Sequence, residues 1–101
     1  MDNDKRTSKF SFAMKVTVPD QVLTRDLDDE TMLLNLNSEL YLGLNSTGSQ
    51  ILKVLSQSGS IEEALVALLA KYDIGADRLR TELSKFIDKL LEHGLIELSE
   101  P

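Results

Sequence analysis

The sequence predicts an α+β domain in which a three-stranded antiparallel sheet is followed by three helices. Three observations predict it. From Val16 to Leu44, short apolar runs alternate with polar residues and turns, as strands with one buried face do. From Ser46 to His93, apolar residues recur three and four apart, as on amphipathic helices. Cap and stop signals fall where the pattern changes: Asn45, Gly59, Ser60 and Gly94.

Taken in order, residues 1–15 are polar and lack sustained periodicity, which predicts a flexible tail ahead of a folded domain over 16–98. Phe10 and Phe12 in that tail belong either to a first strand or to a segment docked on the body. Val16 to Leu27 is the first extended stretch, interrupted at Pro19-Asp20 by a turn or an edge position. Asp28-Asp29-Glu30 is a polar turn. Thr31 to Leu36 is the second strand, with Met32, Leu34 and Leu36 on one face. Leu40 to Leu44 is the third, with Leu40, Leu42 and Leu44 on a buried face.

The first helix runs from Ser46 to Gln57. Its Ile51, Leu52, Val54 and Leu55 share a side, and Asn45 supplies the capping oxygen. The second opens on Ser60-Ile-Glu-Glu63, a capping box in which Ser60 accepts from the Glu63 N–H and Glu63 reaches back to the Ser60 N–H. It ends near Tyr72. The third runs from Ala76 to His93, with Leu79, Leu83, Phe86, Ile87, Leu90 and Leu91 as its apolar stripe. Gly94 suits the left-handed position that ends a helix. Leu95 to Leu98 packs as a short extended tail. This strand-then-helix order is winged-helix-like.

Composition narrows the function. The chain has 101 residues, enough for one modest core. It has no Cys and a single His, so disulfide frames, Cys-based zinc sites and His clusters are excluded. No apolar run approaches the ~20 residues of a membrane span, and the first nine residues lack a secretory apolar core. A cytoplasmic protein is expected. The net charge is −6, and residues 1–15 carry +2 of it against −8 for the rest. An acidic body repels phosphate backbones.

Catalytic constellations are missing. There is no Gly-x-Ser-x-Gly elbow, no second His to complete a triad and no Gly-rich phosphate loop. Asp26, Asp28, Asp29 and Glu30 lack the spacing of a calcium loop and read as a solvated hairpin turn. His93 lies in the last helical turn, where a cation complements the dipole. The third helix carries Arg78, Arg80, Lys85 and Lys89, but Asp77, Glu82, Asp88 and Glu92 are interleaved, which disfavours DNA recognition. No enzyme activity and no cofactor are expected.

The residues carry a family likeness. Val22-Leu-Thr-Arg25, Leu33-Leu-Asn-Leu36 and Tyr41-x-Gly-Leu-Asn-x-Thr-Gly48 followed by Ile51-Leu52 resemble the PqqD-like family. So do Ala67-Leu-Leu-Ala-Lys-Tyr72 and Leu90-Leu-Glu-His-Gly-Leu-Ile96. The likeness covers residues 16–98. The family includes the recognition elements of ribosomally made, modified peptides, among them the leader-binding proteins of lasso-peptide pathways. The resemblance implies a non-catalytic module. A leader peptide would add as an extra strand beside the third strand, in a cleft shared with the third helix. It would be presented to a radical SAM protein, a leader protease or a cyclase.

On that reading Leu40, Tyr41, Leu42 and Gly43 pair with the peptide through their backbones. Leu79, Leu83 and Phe86 line the pocket, and Arg78, Glu82, Lys85 and Lys89 form its polar rim. The same three apolar residues are also what a helix buries in an ordinary core. An exposed edge strand can pair with its own copy as well, giving a homodimer. Two other readings stand beside this one: a winged-helix DNA-binding regulator, and a protein–protein adaptor that needs no peptide.

Overall fold

The computed structural model describes residues 10–100. The predicted tail over residues 1–15 lies outside the described residues as far as residue 9. Eight elements follow in the order β1 (Lys15–Thr17), β2 (Val22–Leu27), β3 (Glu30–Asn35), β4 (Tyr41–Leu44), α1 (Ser46–Gln57), α2 (Ile61–Lys71), α3 (Ala76–Glu92) and β5 (Glu97–Ser99). The three-stranded antiparallel sheet and the three helices of the sequence reading are present. The sheet order is β2-β3-β4.

One difference lies in the first extended stretch. It is two strands in two sheets. The Val22 N–H donates to the Pro19 carbonyl at 3.0 Å, closing a turn that redirects the chain between β1 and β2. β1 pairs antiparallel with β5, Val16 opposite Leu98. Its partner lies some eighty residues downstream, beyond the reach of any local pattern.

The sheet's faces also sort unexpectedly. Met32, Leu34 and Leu36 do share a face, but it points away from the helices. Leu33, wholly buried, and the buried Asn35 face the core instead. On β4 burial fades along the strand: Leu44 is buried, Leu42 half-buried, and Leu40 just ahead of it exposed.

Side chains cap the N-termini of α1 and α2, whereas α3 starts at Gly75 without a side-chain cap. Asn45 Oδ1 accepts from the Gly48 N–H at 2.8 Å and Ser60 Oγ from the Glu63 N–H at 3.1 Å. Glu63 reaches back one residue further than expected, to the Gly59 N–H. The next two free donors of α2 go to the segment before β1: Ile61 N–H to Met14 O and Glu62 N–H to Phe12 O, both at 2.8 Å. Phe12 is further held by Arg80, 4.9 Å above its ring, which also pairs with Glu62. At the other end of α1, Lys15 Nζ donates to the Ser56 and Ser58 carbonyls. That cation serves a helix with no base of its own in the last turn. His93 caps α3, its Nδ1 facing the Lys89 carbonyl at 3.0 Å, and Gly94 follows at φ +67°.

The core lies between the sheet and the helices and is almost entirely aliphatic, with Leu33, Leu55, Ile61, Leu65, Leu68, Leu83, Ile87, Leu90 and Leu95 fully enclosed.

Candidate peptide-binding cleft

β4 is an edge strand; among the described residues only β3 pairs with it. The Asn35 N–H donates to the Leu40 carbonyl at 2.8 Å, which fixes the phase of the ladder. Hydrogen-bonding direction alternates along a strand, so residues 42 and 44 also turn toward β3. The N–H and C=O groups of Tyr41 and Gly43 therefore point to the open side. They offer four main-chain groups to an incoming strand. β2 is the other edge of this sheet.

Beside the open edge of β4 lies a cleft of about 330 Å³. One wall is Leu42, Gly43 and Leu44. The opposite wall is the α3 stripe Leu79, Leu83 and Phe86, with Glu82 and Lys89 at the margin. The floor is the start of α1: Asn45, Thr47, Gly48 and Ile51. Leu79 and Leu83 are buried and shape the base, whereas Phe86 is half-buried with its ring available to the cleft. The lining is mostly apolar, and Glu82 and Lys89 have no side-chain partner among the described residues.

The structure brings together Leu42, Gly43, Leu79, Glu82, Leu83, Phe86 and Lys89 of the eleven residues singled out from the sequence. Leu40 precedes the strand. Tyr41 turns its side chain to the outer face, with its backbone on the open edge. Arg78 and Lys85 are exposed on α3 and do not line the cleft. Thr47, Gly48 and Ile51 line it as well, although the sequence offers Ile51 only as part of the apolar side of the first helix and Thr47 and Gly48 only within the family motif. Their signal was the Leu44-Asn-x-Thr-Gly48 motif itself, which places the first helical turn against the strand. Gly43 is not required by packing, since a Cβ there would meet only Met32 Cε at 3.8 Å. No metal-holding cluster of acids and His occurs among the described residues. No helix among them is long and apolar enough to cross a membrane.

A family model described as "Coenzyme PQQ synthesis protein D (PqqD)" matches residues 30–96. The chain belongs to the PqqD family. The match runs from β3 through Ile96, which encloses both walls of the cleft. Among solved structures, the PqqD fold recurs in "TbiB1 in Complex with the TbiA(beta) Leader Peptide", at 31% identity and a TM-score of 0.73, covering 79% of this chain and 93% of that one. It recurs in "Lasso peptide synthetase B1 complexed with the leader peptide" at 19% identity and a TM-score of 0.72, covering 82% and 98%, a likeness of fold. No curated protein matches.

Proposed function

We propose that this chain is a non-catalytic recognition module. It binds the leader region of a ribosomally made precursor peptide and presents it to a modifying or processing enzyme. The peptide adds as a strand to β4 and sets alternate side chains into the cleft against α3. The observation that carries this reading is the coincidence of the open Tyr41 and Gly43 backbone with an apolar cleft directly alongside. The likeness to TbiB1, whose structure holds a leader peptide, supports it.

Magnitudes say what must do the binding. Four main-chain hydrogen bonds contribute about 0.5–1.5 kcal/mol each, net. Two apolar anchors add about 1.5–3 kcal/mol each when fully buried. Ordering a flexible peptide costs about 2–5 kcal/mol, and micromolar affinity needs about −8 kcal/mol. The backbone bonds alone fall short, so the apolar anchors entering between Leu42 and Phe86 set affinity and selectivity. Glu82 and Lys89, of opposite sign and unpaired, favour a leader with complementary charges flanking its anchors.

Titration of the purified chain with the leader encoded by a neighbouring short gene tests the proposal. Saturable binding at micromolar concentration or tighter is expected. The absence of binding to every nearby precursor overturns it.

A further inference from the structure

The outer face of the β2-β3-β4 sheet is apolar where solvent would favour polar side chains. Register aligns Leu23, Leu34 and Tyr41 in one row and Arg25, Met32 and Gly43 in the next. Leu23 is 50% exposed, Leu27 56% and Tyr41 64%. No element among the described residues covers them. Arg25 sits within a hollow lined by Leu23, Leu27, Met32 and Leu34, and its guanidinium has no partner among the described residues. An unpaired Arg ringed by aliphatic side chains is the composition of an interface centre rather than of a solvated surface.

Size and charge narrow the occupant. Three strands about 4.8 Å apart and about 20 Å long present roughly 300 Å², well under the ~800 Å² each partner contributes to a stable complex. Two copies would also bring −6 against −6. Both counts disfavour a permanent dimer, and the area suits a transient partner that engages and releases, as an enzyme acting on one bound peptide after another would. A guest strand on β4 widens the same face by about another 4.8 Å, with every second guest residue pointing outward. The face is therefore largest when a peptide is bound.

We infer that this outer face docks the enzyme that acts on the bound peptide, through an apolar patch bearing a carboxylate that meets Arg25, and that the guest strand completes the surface. The inference rests on the peptide-binding reading above. It adds a second site, on the opposite side of the sheet from the α3 cleft, and couples the two through β4.

The test uses the full chain, a leader peptide that it binds and a purified leader protease that cleaves that peptide's precursor. Leader affinity and protease affinity are measured separately, for wild type, Leu23→Glu, Arg25→Glu and Arg25→Lys. Leader binding should stay within twofold in all three variants. Protease affinity in the presence of leader should fall tenfold or more in Leu23→Glu and Arg25→Glu, and less than threefold in Arg25→Lys. In wild type, leader should raise protease affinity at least fivefold. Protease affinity indifferent to both Glu variants overturns the inference. So does a sedimenting dimer that Leu23→Glu dissociates, which gives the face to a second copy. Loss of protease binding in the Glu variants of a chain that binds no leader would sustain the docking face while ending the peptide-binding reading.

Discussion

The Asn35 side-chain amide donates to the Gly94 carbonyl at 2.8 Å, joining the end of β3 to the turn that closes α3. The same side chain accepts through Oδ1 from the Asn37 and Ser38 N–H groups, at 2.9 and 3.2 Å. One buried residue thus ties the β3–β4 turn to the helix across the cleft. Its amide leaves no space at Gly94, where an added Cβ would lie 2.6 Å from Asn35 Nδ2.

Asn35→Ala is expected to lower unfolding free energy by about 2–3 kcal/mol, since it strands the Gly94 carbonyl and two turn N–H groups. Gly94→Ala should cost a similar amount, combining the left-handed backbone at φ +67° with the close approach. Denaturant melts check both. Stability unchanged in Asn35→Ala would show that the tie does not hold the two walls.

Phe86→Ala removes the half-buried ring from the cleft. Loss of one apolar anchor, about 1.5–3 kcal/mol, corresponds to a roughly ten- to hundred-fold weaker leader. Calorimetric titration beside a circular dichroism spectrum reads the effect. Equal affinity with an intact fold would move the anchor site elsewhere.

Gly43→Pro keeps the ladder to β3, because the Gly43 N–H faces the open side, but deletes one donor to the guest. Leader affinity should drop at least fivefold. A melting temperature close to wild type would show that the change acts on the edge and not on the sheet. Undiminished affinity would rule out strand addition at this position.

Lys15→Met leaves the Ser56 and Ser58 carbonyls without their cation. About 1 kcal/mol of stability should be lost, with leader binding unchanged. A thermal melt that matches wild type would assign no stabilising role to this long-range cap.

The sequence made the helices plain because their signals are local. Asn45, Ser60 and Gly94 each mark a helix end through a bond or backbone angle within a few residues. β1 was hidden because Val16 pairs with Leu98, at the far end of the sequence and outside any local pattern. The faces of β3 misled for a different reason. Period two shows which residues share a face, but Leu33-Leu34 and Leu36 are apolar on both, and only packing decides that Leu33 goes inward. Arg78 and Lys85 share the polar sides of α3 with Glu82 and Lys89, and spacing alone could not say which pair borders the cleft. Thr47 and Ile51 reach the cleft because the Asn45 cap sets the first turn of α1 against β4, a placement that no local pattern displays.

The pairing of Lys15 with Ser99 sets the two ends of the folded body side by side, with β4 belonging to the other sheet. A fold whose entrance and exit coincide is portable. It can be spliced into a larger polypeptide by two short tethers, or rejoined end to end and reopened at another loop, with the open edge of β4 left unchanged.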